Sequence, residues 1–181
     1  YRSRNELQAN NPLPDWFADL DAESVDAACL SDALTGVRDH GWVHHIPRLM
    51  VLGNYAMQRG WDPAQVTDWF HRAFVDGYDW VMVPNVVGMS QFADGGVMAT
   101  KPYAAGGAYI NRMSDYCSAC PYDPRKRVGQ DACPFTAGYW AFLHRNRKRL
   151  ATNPRMGQSL GGLGRLSDLE AVIEQEADRG S

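Results

Sequence analysis

The sequence predicts an all-α protein. Two stretches place apolar residues at helical spacing, a third opens with a strong helix-start signal, and no segment has the strict alternation of a half-buried strand. With 181 residues, of which 45% are hydrophobic, the chain can bury one core, or one core with a peripheral lobe.

The first two predicted helices follow an irregular entry segment of about 20 residues. Apolar residues at helical spacing predict a helix over 24–38, with Cys29 on its buried face and Gly41 as its stop signal. A second helix is predicted over 44–59, ended by Gly60.

The third helix has the clearest start. Asp62 can cap it, and Pro63 fits the first helical position. Dense glycine then predicts a long loop over 77–113, whose aromatic content indicates that it wraps a ligand. The next predicted helix runs from about 136 to 150.

The C-terminal residues predict a linker and one more helix. Glycine is frequent over 153–165, which predicts a linker, and Ser167 with Glu170 forms a capping-box pattern that starts the last helix. We therefore divide the chain into a main helical unit, 1–152, and a linker with a terminal helix, 153–181.

Composition limits the possible functions. The formal net charge of −3 gives no globally basic surface for nucleic acid, and no apolar run reaches the ~18 residues of a membrane span. Nothing resembles a secretory signal segment, so we expect a cytoplasmic protein without a membrane partner. Because the chain starts at Tyr1, we expect a piece of a longer protein or a processed product.

The four cysteines are the strongest chemical signal in the sequence. Cys117, Cys120 and Cys133 form C-x2-C-x12-C, and Cys29 is the only other thiol. Four converging thiolates suit an iron–sulfur cluster or a structural zinc ion. Two disulfides, or buried thiols without a ligand, are the alternatives, and the spacing alone does not separate iron–sulfur from zinc.

Five segments resemble the cryptochrome/photolyase family, and most closely its bacterial iron–sulfur branch, which includes the prokaryotic (6-4) photolyases. The segments are 42–50 (WVHHIPRLM), 74–78 (FVDGY), 84–96 (PNVVGMSQFADGG), 100–103 (TKPY) and 109–117 (YINRMSDYC). The resemblance covers about residues 5–150.

This resemblance implies the C-terminal part of a helical FAD-binding domain with a [4Fe–4S] cluster loop. It assigns the cluster to Cys29, Cys117, Cys120 and Cys133. The family's antenna chromophore is expected only in an N-terminal domain that this sequence lacks. The implied activity is that of a (6-4) photolyase, a lyase that acts on UV-damaged DNA by flavin-driven electron transfer, and the full-length form is expected to be a monomer.

The resemblance also assigns roles to individual residues. His45 faces the DNA lesion as the catalytic histidine, Trp69 is the inner tryptophan of a photoreduction chain, and Tyr78 and Tyr109 are candidate further links. The residues implied to lie at the flavin are Trp42, His44, Arg48, Asp76 and Asn85.

Two alternative functions remain open from the sequence. A blue-light-sensing cryptochrome of the same branch would use the same residues without DNA repair. A non-catalytic nucleic-acid module, like the helical cluster domain of the large primase subunit, is disfavoured by segments 44–48 (HHIPR) and 76–78 (DGY).

Overall fold

The all-α prediction is confirmed. A computed structural model describes residues 1–179, and these contain helices but no strand; residues 180–181 of the predicted terminal segment lie outside the described range. The α-helices in chain order are α1 (Asp15–Ala18), α2 (Ala28–His40), α3 (His45–Pro47), α4 (Asn54–Arg59), α5 (Pro63–Ala73), α6 (Asp79–Val83), α7 (Gly107–Met113), α8 (Pro134–Arg145), α9 (Arg147–Leu150), α10 (Gly157–Leu163) and α11 (Leu169–Arg179).

The predicted second helix contains a π-helical segment. Residues Arg48–Gly53 join α3 to α4 with π-helical hydrogen bonding, which the apolar spacing did not predict. Gly53 lies against Ser90, so close that a Cβ on Gly53 would be 2.1 Å from the Ser90 Oγ atom. The side-chain nitrogen of Gln91 also donates to the Gly53 carbonyl at 2.9 Å. Single π turns are frequent at functional sites, and this one carries Arg48.

The predicted ends of α2 and α4 and the predicted start of α5 are confirmed. Helix α2 ends at Gly41 and α4 ends at Gly60, both in the left-handed conformation, with φ of 63° and 69°. The Asp62 side chain accepts a hydrogen bond from the Ala64 amide at 2.9 Å, and Pro63 is the first residue of α5.

The predicted loop over 77–113 is wrong in two places. Helix α6 continues into a second π-helical segment, Pro84–Ser90, and α7 closes the region. Glycine disfavours helix in this region, but burial of Val86 and Val87 stabilises the helical conformation. The irregular stretch 91–106 that remains is organised partly by buried Asp94, whose carboxylate accepts hydrogen bonds from the backbone amides of Gly96 and Met98, both at 2.9 Å.

The C-terminal predictions need three corrections. Buried Asn146 interrupts the predicted helix 136–150, giving α8 and α9. The predicted linker instead contains the 3-10 turn Pro154–Met156 and helix α10, because Met156 and Leu163 are buried in a hydrophobic cluster with α8. No hydrogen bond joins Ser167 to Glu170 among the described residues; the carbonyl of Asp168 accepts from the Val172 amide instead.

Two hydrophobic clusters hold the helices together. The larger one packs α1, α2, α4 and α5 around aromatic rings, and the smaller one packs α8 and α10. No helix within residues 1–179 is both long and apolar enough to cross a bilayer. The larger cluster positions α2, the first π-helical segment and the end of α5 next to one another.

Candidate functional site

Arg48 and Asp76, two of the residues that the family resemblance assigns to the flavin, form an ion pair. Nη1 of Arg48 lies 3.1 Å from both carboxylate oxygens of Asp76, and Nη2 donates to the Val43 carbonyl at 3.2 Å. The guanidinium carbon also lies 4.1 Å from the centroid of the Phe74 ring. Arg48 is buried, with its side chain 9% exposed, whereas the Asp76 side chain is 42% exposed. The pair therefore joins a buried cation to a carboxylate that reaches the surface.

A tight turn between α5 and α6 presents Asp76. The Tyr78 amide donates to the Asp76 carbonyl at 2.8 Å, and the Val75 amide donates to the Gly41 carbonyl at 2.9 Å. A Cβ on Gly77 would lie 2.4 Å from the backbone oxygen of His71, so only glycine fits there without a shift. This turn holds the backbone that precedes Asp76 against the C-terminal end of α2.

The aromatic and imidazole side chains predicted at the flavin and the lesion lie on the surface. Trp42, His44 and His45 are exposed, and the rings of Trp42 and His44 lie 4.6 Å apart in an edge arrangement. His45 is the first residue of α3, one helical turn before Arg48. Among the described residues, the His45 side chain makes no hydrogen bond, which leaves both ring nitrogens free for a ligand.

Asn85 is engaged within its own helix. Its side-chain nitrogen donates to the Val81 carbonyl at 2.6 Å, and no hydrogen bond joins it to Arg48 or Asp76 within residues 1–179. The structure therefore does not bring Asn85 into the pair, and its assignment to the flavin site stays a prediction.

Trp69 lies deep in the core. Its ring is 2% exposed and contacts Phe17, Phe70 and Phe74, at centroid distances of 4.5, 5.0 and 6.0 Å. Phe74 is the ring that Arg48 covers, so Trp69 is one aromatic ring away from the Arg48–Asp76 pair.

The aromatic neighbours of Trp69 differ from those the sequence indicated. Tyr78 is 61% exposed, and neither Tyr78 nor Tyr109 is among the rings in contact with Trp69 in the described part of the chain. Phe17 instead connects Trp69 to Trp61, at 4.8 Å from the latter. Sequence reasoning missed this connection because the rings come from distant segments with no shared spacing.

All four cysteines line one cavity. Cys29 of α2 and Cys133, which precedes α8, are buried, and Cys117 and Cys120 are partly buried. About 290 Å³ of space lies between the atoms of this cavity, part of it open to solvent. All four thiols are free, so the two-disulfide alternative is wrong for this structure. Burial, and then the neighbouring thiols, raise the pKa of Cys29 well above its usual range.

Four thiolates can hold either an iron–sulfur cluster or a zinc ion. Within residues 1–179, no group of three or more histidine, cysteine or acidic side chains is arranged so that it could hold a metal ion. The assignment of these cysteines to a [4Fe–4S] cluster therefore stays a prediction.

Gly107 forms part of the wall of this cavity. A Cβ on Gly107 would lie 2.7 Å from the Cys133 Sγ atom, so a glycine is needed for this approach. The Gly107 amide donates to the Thr136 hydroxyl at 2.9 Å, and that hydroxyl donates to the Pro124 carbonyl at 2.7 Å. These bonds attach α7 and the cysteine loop, residues 117–133, to the start of α8.

The cationic turn beside the cysteines is largely neutralised. Arg125 pairs with Asp123 at 3.1 Å, Lys126 pairs with a carboxylate further along the same loop, and Arg127 pairs with Asp168 at 2.8 Å. These contacts favour a solvated surface over a free patch for DNA phosphates.

The geometry defines a helical protein with a buried arginine paired to a half-exposed aspartate, exposed histidines beside this pair and a four-thiol cavity. No family model matches the chain. It is, however, 51% identical over 140 residues, 77% of its length, to a (6-4) photolyase from Agrobacterium fabrum (strain C58 / ATCC 33970). The chain belongs to the cryptochrome/photolyase family.

A second relative is shorter. The uncharacterized protein R855 of Acanthamoeba polyphaga mimivirus is 42% identical over 66 residues, which is 36% of the chain. The matched regions amount to 28% of the length of the Agrobacterium photolyase and 54% of the length of the viral protein. The chain thus corresponds to a minor part of the photolyase that it resembles.

Proposed function

We propose that this chain forms the C-terminal part of the helical FAD-binding domain of a light-dependent (6-4) photolyase of the iron–sulfur branch. The observation that carries the proposal is the Arg48–Asp76 pair, built on a π-helical segment and a glycine turn, in a chain 51% identical to a (6-4) photolyase. UV-damaged DNA is the proposed substrate. The monomeric state and the cytoplasmic location stay predictions.

The pair suits the reactive ring of a flavin. A guanidinium held by a carboxylate, a carbonyl and an aromatic face has little freedom to move, so it can present a fixed positive charge to an electron-rich ring system. The buried Nε of Arg48 has no partner among the described residues, which leaves one donor for a ligand. When bound, reduced FAD supplies the light-driven electron for repair.

His45 is the proposed proton donor and acceptor at the lesion. Repair of a (6-4) photoproduct returns a hydroxyl group from one pyrimidine to the other, and a proton must move with it. An imidazole can both accept and donate a proton, and that of His45 is exposed and free of hydrogen bonds within the described chain. Its position one turn from Arg48 puts the proton-transfer group beside the proposed flavin contact.

The experiment compares two exposed histidines in the full-length polypeptide. Under blue light, His45→Ala is expected to lower the repair rate of a (6-4) oligonucleotide by about 10²-fold or more, the usual contribution of a positioned acid–base group. The flavin spectrum should not change. His40→Ala, at the exposed end of α2, is the matched control and should repair normally.

Two results would contradict the proposal. One is a His45→Ala protein that repairs as fast as the His40→Ala control. The other is a wild-type protein that reduces its flavin in light and leaves the oligonucleotide unrepaired, which would indicate a light sensor.

The four-thiol cavity is the proposed site of a [4Fe–4S] cluster, with Cys29, Cys117, Cys120 and Cys133 as ligands. The donor set, the apolar cavity and the close approach at Gly107 support this assignment. Four thiolates would complete the cluster's ligands, so its role here is to fasten the cysteine loop to α2 and not to bind substrate.

Anaerobic purification tests this assignment. We expect iron and sulfide in the purified protein and a broad absorbance near ~400 nm, which is characteristic of thiolate-bound iron. Cys29→Ser should lower the iron content. Stoichiometric zinc without iron, or full iron content in the Cys29→Ser variant, would refute it.

A further inference from the structure

The two halves of the cysteine loop are held in different ways. The second half is braced by its own backbone: the Asp123 amide donates to the Asp131 carbonyl at 2.8 Å, and the Cys133 amide donates to the Lys126 carbonyl at 3.1 Å. Cys133 also caps α8. This half would keep its shape without a bound group.

The first half lacks such bracing. Tyr116–Ser118 is a single 3-10 turn that carries Cys117, and Cys120 follows in irregular chain. Both thiols are only partly buried, unlike Cys29 and Cys133. What keeps this half next to the helix of Cys29 must therefore come from outside the loop.

The Tyr116 side chain makes such a connection. The Tyr116 hydroxyl donates to the Asp32 carboxylate at 2.6 Å, a short charge-assisted hydrogen bond. Tyr116 directly precedes Cys117, and Asp32 lies three residues after Cys29, on the same face of α2. The bond thus joins the residue directly before Cys117 to a residue about one helical turn after Cys29, in distant parts of the chain.

A second tyrosine gives weaker support. The Tyr122 hydroxyl lies 3.5 Å from the Asp26 carboxylate, at the limit of a hydrogen bond. Tyr116 and Tyr122 both line the cysteine cavity, on either side of Cys117 and Cys120. The tyrosines therefore form part of the cavity wall as well as its attachment to α2.

We infer that Tyr116 and Asp32 are positioning residues that hold Cys117 and Cys120 against Cys29 before the metal group arrives. This inference rests on the proposed cluster, because positioning matters only if the four thiols share a ligand. The pair acts on the assembly of the site and on retention of iron, and it touches neither flavin nor DNA.

The test uses the full-length polypeptide, stripped of iron and reconstituted with ferrous iron, sulfide and a thiol reductant. Loss of one net hydrogen bond corresponds to about a three- to tenfold change in an equilibrium constant. Tyr116→Phe should therefore slow cluster assembly by about that factor. Release of iron to a chelator should accelerate in the same range. The control is Tyr139→Phe, since the Tyr139 hydroxyl makes no hydrogen bond to the described residues.

Two substitutions of the acceptor, Asp32, test the same hydrogen bond from its other side. Asp32→Asn keeps an oxygen that accepts the tyrosine hydroxyl and should stay close to wild type, whereas Asp32→Leu should match Tyr116→Phe. A thiol-specific label on the iron-free protein gives an independent readout. In Tyr116→Phe, Cys117 and Cys120 should react faster than in wild type, while Cys133 keeps its rate.

The outcomes separate this inference from the proposed cluster. Equal assembly and labelling rates in Tyr116→Phe and Tyr139→Phe would overturn the positioning role even if wild type binds four irons. A wild-type protein that takes up no iron would refute the cluster, while faster labelling of Cys117 and Cys120 in the variant would still support the attachment to α2.

Discussion

Removal of the Asp76 carboxylate should destabilise the protein measurably. Breaking a fully buried ion pair costs ~3–5 kcal/mol, because the remaining charge stays buried without a partner. Here the Arg48 side chain is 9% exposed, but the Asp76 side chain is 42% exposed, so water can replace part of the lost interaction. The Val43 carbonyl and the Phe74 ring also stay in contact with the guanidinium. We therefore expect Asp76→Asn to lower the free energy of unfolding by about 1–2 kcal/mol.

Urea unfolding of the flavin-free protein measures this change. With a slope of about 2 kcal/mol per molar urea, the midpoint should fall by about 0.5–1 M without a change in slope. The matched control is Asp68→Asn, which breaks the exposed pair between Asp68 and Arg72 on the surface of α5. That substitution should cost about 0.5 kcal/mol or less.

The comparison refutes the reasoning if the two variants unfold at the same urea concentration. It also does so if Arg48→Met and Asp76→Asn have additive effects in the double variant. Residues in direct contact should show a coupling energy of at least about 0.5 kcal/mol.

Three further predictions concern single positions. Gly77→Ala should destabilise the protein by about 1–3 kcal/mol, since its Cβ would overlap a backbone carbonyl. The control is Gly161→Ala, in open space on α10, which should be neutral or stabilising by up to ~1 kcal/mol. Equal thermal unfolding midpoints for the two variants would contradict this prediction. Gly107→Ala should lower the iron content per polypeptide, as its Cβ would enter the cysteine cavity, and undiminished iron would show that the wall can adjust. Trp69→Phe should slow the light-driven reduction of bound flavin without changing flavin content, while Trp140→Phe, in the smaller hydrophobic cluster, should leave the rate as it is; flash photolysis decides between them.

The helix ends could be predicted because their signals are local. Asp62 and Pro63 start α5, and Gly41 and Gly60 end their helices, through contacts within a few residues. The π-helical segment at Arg48 could not be predicted, since it depends on the close approach of Gly53 and a residue from another segment. Apolar spacing alone does not distinguish π from α turns.

The predicted linker failed for a related reason. Glycine lowers the helix propensity of α10, but packing of Met156 and Leu163 against α8 overrides it. The spacing of residues could not predict the contact between Arg48 and Asp76, because no periodicity relates two positions so far apart. Only the family resemblance placed both residues at one site. The Phe74 face under Arg48, and the bond from Tyr116 to Asp32, depend on the tertiary fold and left no signal in the spacing of residues.

The division of the cysteine cavity between α2 and a late loop has a consequence for biosynthesis. Cys29 leaves the ribosome well before the other three thiols, and the core helices α4 and α5 emerge in between. Closing so long a segment is entropically unfavourable until those helices have packed. A nascent chain therefore exposes Cys29 as an unliganded thiol while residues 30–132 are made, and the proposed cluster could be completed only after Cys133 has emerged.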